Sequence, residues 1–243
     1  MSYPNGTQPI SLISSNSSIS GVEKHEKDHY LKINPTTDLV NFTELKFKGS
    51  IPYLDIEIPY SDPNHKLNQF GFVYKKNVNA CLYKDLAKVV IDASEVAFTK
   101  YGWKLKIMDG LRVVEAQQNM YFAKERNNWP EDLVSSPGLG AHPRGMAVDI
   151  LPIDAITDQF LDMGSVYDEF SSRSSRNYEQ LSDEQKMNRN KLDSVMRESA
   201  QRNNIKLFEL PSEWWHYNLE ESFYSKYKPV SDDDLPDELK MVK

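Results

Sequence analysis

The stretch His-Pro-Arg-Gly-Met-Ala-Val-Asp, residues 142–149, combines a histidine, a glycine turn and the start of an apolar run. The alternation over residues 146–150 predicts a strand in which Asp149 shares the small-residue face with Ala147. A carboxylate on a core strand is costly to bury unless it has a partner. A metal ion is one such partner, and His142 in the preceding turn offers the nitrogen ligand that zinc takes. The other interpretation is a turn histidine beside a hydrogen-bonded aspartate, and this stretch alone leaves it open.

A second candidate segment, Glu-Trp-Trp-His, lies far downstream at residues 213–216. His216 completes a set of three protein ligands with His142 and Asp149, which leaves the fourth tetrahedral position for water, as catalytic zinc requires. Glu213, three residues before that histidine, is then a base that does not bind the metal. The two tryptophans could be plain core aromatics, but their position between a glutamate and a histidine is a more specific signal.

Together, the two segments resemble the zinc D-alanyl-D-alanine dipeptidases of the VanX type and the related D,D-carboxypeptidases. The family signature is a His-x-x-Gly-x-Ala segment that ends in Asp, followed much later by Glu-x-Trp-His. The matching residues here are His142, Gly145, Ala147, Asp149, Glu213, Trp215 and His216. The resemblance implies one Zn²⁺ per chain, held by the two histidines and the aspartate, with the glutamate as the general base.

The turn Asp-Gly-Leu-Arg at residues 109–112 supplies a further candidate, Arg112. An arginine after a strand is most often a surface residue or an ion-pair partner. In the resembled family, an Asp-Gly-aromatic-Arg-Pro turn carries the arginine that stabilises the transition state; here Leu111 and Val113 replace the aromatic residue and the proline. The resemblance implies that Arg112 donates to the developing oxyanion, a task that suits a planar guanidinium.

The segment Asp-Met-Gly-Ser-Val-Tyr-Asp at residues 162–168 is similar to the family's Met-Gly-Ser-x-aromatic-Asp segment. In the family, the final aspartate holds the free amino group of the dipeptide, so the resemblance assigns that role to Asp168. A carboxylate suits the task because it accepts charge-assisted hydrogen bonds from an ammonium. Without the resemblance, the same residue is better explained as a helix N-cap or a turn aspartate.

One residue departs from the family pattern. Gly140 stands where a serine usually precedes the metal histidine by two positions. The missing hydroxyl predicts a difference in substrate contacts or in the support of the metal ligand. Ser135 or Ser136 could supply the hydroxyl instead.

Composition excludes several classes of protein. The net charge of −7 over 243 residues, without a cluster of lysine and arginine, argues against nucleic acid or an anionic membrane as a partner. No window approaches about 18 apolar residues, so we expect no transmembrane helix. A single cysteine, Cys81, excludes an internal disulfide framework and suits a small core residue. The start of the chain lacks the pattern of a secretory signal, so we expect a cytoplasmic protein.

The resemblance implies an α+β fold, with helices packed on a mainly antiparallel sheet that carries a single zinc site. The predicted strands and helices do not alternate as regular βαβ units, which agrees with an α+β fold rather than an α/β fold. We expect a flexible N-terminal extension over residues 1–40, a catalytic domain over 41–230 and a charged C-terminal tail over 231–243. The predicted elements are strands at 42–48, 103–108 and 205–210, an extended aromatic segment at 69–74, and helices at 80–101, 114–127 and from the Ser182 capping box to about Arg202.

The activity that the resemblance implies is zinc-dependent hydrolysis of a small peptide, a D,D-dipeptide such as D-alanyl-D-alanine. The nearest alternative is a D,D- or L,D-carboxypeptidase that acts on cell-wall peptides with the same metal chemistry and a more open pocket. A third hypothesis is that the protein is a zinc-bearing binding module without catalytic activity. Such a module would be free to lose Glu213 and Arg112, and this chain has both. No feature of the sequence indicates an oligomeric state.

Overall fold

The computed structural model describes residues 30–242, and a five-stranded sheet forms its centre. The strands are Leu39–Asn41 (β1), Leu54–Ile56 (β2), Cys81–Tyr83 (β3), Trp103–Asp109 (β4), Ala147–Asp154 (β5), Leu207–Glu209 (β6) and His216–Leu219 (β7). The α-helices are Pro35–Asp38 (α1), Phe42–Phe47 (α2), Lys84–Tyr101 (α3), Val114–Arg126 (α4), Asp183–Arg202 (α5) and Glu221–Tyr224 (α6). Short 3₁₀ turns connect them at Pro59–Ser61, Glu131–Leu133, His142–Arg144, Ser172–Ser174, Asp232–Asp234 and Asp237–Leu239.

The sheet has the strand order β2-β4-β5-β7-β6. Only the pairing of the edge strand β2 with β4 is parallel, while the other three pairings are antiparallel. This architecture confirms the predicted α+β class with a mainly antiparallel sheet. A separate antiparallel pair joins β1 to β3.

The two long helices, α3 and α5, contact each other, and α3 also packs on β4. Helix α3 buries one face of small and branched apolar residues and ends at Gly102, whose left-handed φ of 66° closes the helix. Helix α5 begins with the predicted capping box, in which the Ser182 and Gln185 side-chain oxygens each accept a hydrogen bond from the other residue's backbone amide. None of the helices in residues 30–242 is long and apolar enough to cross a membrane.

The long predicted elements are confirmed with small changes of boundary, but the predicted strand at residues 42–48 is wrong. This segment is helix α2, capped by the Asn41 side chain, which accepts a hydrogen bond from the Glu44 amide at 3.2 Å. Its apolar residues Phe42 and Leu45 are three apart, which places both on one helical face rather than on one face of a strand.

Two other segments near the N-terminal half differ from the predictions. The helix expected from residue 80 begins at Lys84, because Cys81–Tyr83 pairs with Leu39–Asn41 as a strand. The segment at 69–74 contains no strand; the Asn68 side chain accepts from two following amides and folds it into a turn. Strand β2 lies in a region for which no element was predicted, because a pattern of only three residues does not indicate a strand.

Both predicted terminal extensions contribute to the folded body where the structure describes them. Residues 1–29 lie outside the described residues, but 30–40 include α1 and part of β1, and Leu31 exchanges two backbone hydrogen bonds with the segment 226–228. The segment predicted as a charged C-terminal tail packs against the core. Leu235 and Met241 are each less than 5% exposed and belong to the hydrophobic core. Leu235 and Met241 are surrounded by charged residues in the sequence, so no apolar pattern indicated that they are buried.

Asp232 anchors the end of the chain, and its replacement provides a test of this packing. Its side chain is fully buried, and Oδ1 accepts hydrogen bonds from the Met241 and Val242 amides at 2.6 and 3.2 Å. Asp232→Ala should cost about 2 kcal/mol, because it leaves buried amides without an acceptor. We expect the melting temperature to fall by roughly 4–8 °C. The control Asp237→Ala changes an exposed aspartate of the same segment, and equal melting temperatures for the two variants would contradict the role of Asp232.

Candidate active site

The candidate site forms where the three central strands place polar side chains in one row. Asp109 on β4 pairs with Asp149 on β5, which pairs with His216 on β7. A register irregularity between Ile107 and Asp109 ends the regular ladder just before the site, as bulges near active sites often do. The 3₁₀ turn before β5 adds His142 to the row.

His142, Asp149 and His216 form a buried group whose ligand atoms lie within 4.8 Å of one another. The His142 Nε2 and His216 Nδ1 atoms are 3.3 Å apart, and the Asp149 Oδ1 atom is 3.4 and 3.0 Å from them. The sequence therefore predicted three residues that the fold does bring together.

The opposite nitrogen of each histidine has a carbonyl partner, which fixes the tautomer. His142 donates from Nδ1 to the Gly110 carbonyl oxygen at 2.7 Å, and His216 donates from Nε2 to the Asn218 side-chain oxygen at 3.0 Å. When both rings are neutral, their remaining lone pairs face each other and the Asp149 carboxylate. Three hydrogen-bond acceptor atoms directed at one point require a cation between them, so these atoms are suited to bind a metal ion.

Two residues that support this arrangement were not assigned a role from the sequence. A Cβ at Gly110 would lie 2.7 Å from the Cys81 carbonyl oxygen, so only glycine allows the turn to approach closely enough to serve His142. Asn218 donates from its amide to the Leu219 carbonyl oxygen at 2.6 Å, which keeps its own oxygen toward His216. The period of two along a strand, which puts 216 and 218 on one face, was the available signal.

The electrostatics of Asp149 agree with a ligand role. Burial disfavours ionisation of this carboxyl, but the positive charge and hydrogen bonds that His142 and His216 supply when a proton, in place of a metal ion, occupies their inward nitrogens outweigh that effect and hold its pKa well below the usual range. The carboxylate therefore stays charged at neutral pH, as a metal ligand must.

Glu213 lies beside the group without belonging to it. Its Oε2 atom is 3.8 Å from His216 Nδ1, and its side chain is about one third exposed. Burial raises the pKa of the Glu213 carboxyl to about 7. A carboxyl with this pKa can both accept and return a proton near neutral pH, which is what general acid–base catalysis needs.

Arg112 is both an ion-pair partner and a residue of the site. Its Nε and terminal nitrogen donate to Asp109 Oδ2 at 2.8 and 2.6 Å, and its backbone amide donates to the His142 carbonyl oxygen at 3.0 Å. The guanidinium lies 3.9 Å from Asp149 Oδ2. The two hydrogen bonds to one Asp109 oxygen fix the direction of the planar group.

Asp168 reaches the site from the loop after β5. Its φ of 58° is left-handed, a conformation that aspartate tolerates in turns, and the Tyr60 hydroxyl donates to its Oδ2 atom. Burial raises the pKa of this carboxyl to about 7. The loop is held by Arg189, whose guanidinium donates to the carbonyl oxygens of Met163, Arg173 and Ser175, each at 2.7 Å.

A single cavity of about 650 Å³ connects these side chains. It is lined by all six predicted site residues, His142, Asp149, His216, Glu213, Arg112 and Asp168. Gly140 also lines it with a φ of 81°, so a serine at this position would be strained, whereas Ser135 contributes to the same wall. Cys81 lies outside the cavity lining, and burial raises the pKa of its thiol to about 12, which agrees with a core residue.

The fold and this constellation define a metallopeptidase-like site, and comparisons with known proteins identify the family. The D-Ala-D-Ala dipeptidase family of M15 peptidases matches residues 49–232, and this chain belongs to it. M15 peptidases are metalloenzymes, and the buried His-Asp-His group is the corresponding candidate in this chain. A D-alanyl-D-alanine dipeptidase of Enterococcus faecium is 29% identical over 156 residues, which cover 58% of this chain and 73% of that protein.

Among solved structures, the L-Ala D-Glu endopeptidase ChiX of Serratia marcescens matches part of this chain. The two are 16% identical with a TM-score of 0.37, and the match covers 59% of this chain and 84% of the endopeptidase.

The ligand group makes a direct prediction about metal content. His142→Ala, Asp149→Ala and His216→Ala should each lose the bound metal, because a three-ligand site does not retain a divalent ion well with two. Metal content of the purified variants, measured by mass spectrometry, is the test. His65→Ala is the control, since His65 lies outside the group and contacts Glu57 instead. Full occupancy in any of the three site variants would remove that residue from the ligand set.

Proposed function

We propose that this protein is a zinc dipeptidase that hydrolyses a D,D-dipeptide such as D-alanyl-D-alanine. The observation that carries the proposal is the position of Glu213, which shares the cavity with the His-Asp-His group and lies 3.8 Å from His216. Two imidazoles and one carboxylate, with a fourth position open, are a donor set typical of catalytic zinc. The membership in the dipeptidase family supports the same reaction class.

In this mechanism, His142, Asp149 and His216 hold the zinc ion. The ion, when bound, lowers the pKa of a water molecule and polarises the scissile carbonyl group. Glu213 accepts the proton of the attacking water and delivers it to the leaving amine, and its pKa of about 7 suits both transfers. Arg112, aligned by Asp109, donates to the developing oxyanion and keeps its charge throughout.

Asp168 binds the ammonium group of the substrate. Its carboxylate lines the same cavity, and burial without a full countercharge raises its pKa. A substrate ammonium supplies that missing positive charge, so binding offsets the cost of keeping the carboxylate ionised. This contact would restrict the enzyme to peptides with a free N-terminus.

One observation favours a second candidate, the D,D- or L,D-carboxypeptidase. The cavity of about 650 Å³ is in the range of pockets that enclose drug-sized ligands, which are larger than a dipeptide. A longer wall peptide with a blocked N-terminus would then be the substrate. The two candidates differ in whether the substrate must carry an ammonium group.

The role of Glu213 predicts separate effects on metal binding and turnover. Glu213→Gln should retain the metal and lower kcat by about 10²–10⁴-fold, because it removes only the proton acceptor. Glu209→Gln, which changes an ion-pair glutamate on β6, is the matched control. Near-normal turnover of Glu213→Gln would exclude Glu213 as the base.

In the unmodified protein, kcat/KM should fall as pH drops below about 7, because Glu213 and Asp168 both titrate near this value and both act as carboxylates.

Substrate charge tests the role of Asp168 and decides between the two candidates. A dipeptidase should cleave free D-alanyl-D-alanine and leave the N-acetylated form nearly untouched, since acetylation removes the charge that Asp168 binds. Asp168→Asn should lower kcat/KM for the free dipeptide and narrow the difference between the two substrates. Efficient hydrolysis of N-acetylated or longer peptides by the unmodified protein would favour the carboxypeptidase.

A further inference from the structure

Three buried tyrosines lie side by side beneath the candidate site, and each directs its hydroxyl group at a different aspartate. Tyr74 donates to Asp109 Oδ1 at 2.8 Å, Tyr60 contacts Asp168 Oδ2, and Tyr167 donates to Asp149 Oδ2 at 3.0 Å. All three side chains are at most 5% exposed. The ring centroids of the central one, Tyr60, lie 6.2 Å from each of the other two.

The tyrosines belong to separate parts of the chain. Tyr60 comes from the 3₁₀ turn after β2, Tyr74 from the irregular segment before β3, and Tyr167 from the loop that also carries Asp168. The Tyr60 and Tyr167 rings also pack edgewise on Phe70 and Trp215, respectively, which fixes their orientation. Three independent segments thus deliver the same chemical group to one layer.

A neutral hydroxyl group affects a buried carboxylate differently from a cationic side chain. It satisfies an oxygen by a hydrogen bond but leaves the negative charge in place, whereas an arginine or lysine would neutralise it. Burial and the neighbouring aspartates raise the pKa of all three phenols well above the usual value, so each remains a proton donor at neutral pH. The layer therefore orients the carboxylates and keeps them able to attract cations.

We propose that Tyr74, Tyr60 and Tyr167 are positioning residues with separate tasks: they align the aspartates that hold the transition-state arginine, the substrate ammonium and the metal ion. The separation of tasks rests on the function proposed above.

Tyr167 acts on the metal site. Its hydroxyl donates a hydrogen bond to Asp149 Oδ2 and so directs Oδ1 toward the two histidines. Oδ1 lies 3.4 Å from His142 Nε2 and 3.0 Å from His216 Nδ1. Partners of this kind fix ligand direction, and their loss typically costs about 10–100-fold in metal affinity.

Tyr60 and Tyr74 act on the substrate. The Tyr60 hydroxyl donates to Asp168 Oδ2 and leaves Oδ1 available for the ammonium group, so this hydroxyl contributes to substrate binding.

Tyr74 and the Gly110 amide both donate to Asp109 Oδ1, which leaves Oδ2 as the acceptor for both nitrogens of Arg112. Its hydroxyl therefore belongs to the chemical step, in which Arg112 stabilises the oxyanion.

The Tyr60 and Tyr167 hydroxyls are 3.0 Å apart, within hydrogen-bonding distance of each other. Each phenol has a single proton, which it can donate to the other hydroxyl or to its aspartate. With both aspartates ionised, the charge-assisted hydrogen bonds to Asp168 and Asp149 are the stronger ones, so each tyrosine then donates to its own carboxylate.

The test is a set of three tyrosine-to-phenylalanine variants, each of which removes one hydroxyl and keeps the ring. Zinc affinity is measured by chelator competition without substrate, and KM and kcat are measured with free D-alanyl-D-alanine at saturating zinc. Tyr83→Phe is the matched control, because Tyr83 is also 4% exposed and its hydroxyl pairs with that of Tyr227 at 3.1 Å, away from the cavity. The melting temperature of every variant shows whether it folds normally.

We expect Tyr167→Phe to weaken zinc binding by about 10–100-fold. Tyr60→Phe should raise KM by about tenfold, the size of a lost hydrogen bond to a charged group, with zinc affinity unchanged. Tyr74→Phe should lower kcat by about tenfold, with zinc affinity and KM unchanged. Tyr83→Phe should alter none of the three.

Two results would overturn the proposal. If the three variants lose thermal stability but keep the zinc affinity, KM and kcat of the unmodified protein, the tyrosines are structural residues only. If all three change the same quantity, the assignment of one task to each is wrong. Zinc affinity is measured without substrate, so the result for Tyr167 stands even if the protein fails to hydrolyse the dipeptide.

Discussion

Three acceptor atoms that face one another in the centre of the sheet are the constraint on which the rest of the site depends. The inward nitrogens of His142 and His216 and one oxygen of Asp149 lie 3.0–3.4 Å apart, and in neutral rings the carbonyl partners on the outer side take the single proton of each imidazole. Without a cation, this arrangement would repel itself. Its burial is therefore the strongest indication in the molecule of a metal ion.

The carboxyl groups in the cavity are separated by their environments. Positive charge and hydrogen bonds from the two histidines outweigh burial at Asp149 and depress its pKa, while burial dominates at Glu213 and Asp168 and raises both pKa values to about 7. Such divergence within one pocket suits the proposed division of these carboxyl groups into a ligand, a base and a binding group. The raised values also mean that ionised Asp168 and Glu213 lower the stability of the unliganded fold, because each folded-state pKa lies above its usual value and the loss is fully present above about pH 7.

The accuracy of the sequence-based predictions followed the length of the element. Helices α3 and α5 have many apolar residues at helical spacing, and the Ser182 capping box marks the start of α5, so both were recognisable. The segments that were wrong or missed are short: a six-residue helix at Phe42–Phe47, predicted as a strand, and three-residue strands at Leu54–Ile56 and Cys81–Tyr83. Such strands form because a partner segment distant in sequence supplies their hydrogen bonds, which no local pattern encodes.

The sequence by itself indicated which side chains form the candidate site, since the histidine, aspartate and glutamate residues occur in two compact segments that resemble the motifs of the family. Only the tertiary structure decided how they are held. The register of β4, β5 and β7 brings Asp109, Asp149 and His216 into one row. Gly110 and Asn218 select the imidazole tautomers, and three tyrosines from unrelated segments align the aspartates. These contacts join residues from 2 to 108 positions apart, and mostly more than 15. Their geometry follows from strand register and core packing rather than from local sequence, because a hydrogen bond depends on distances of a few tenths of an ångström that only the folded chain defines.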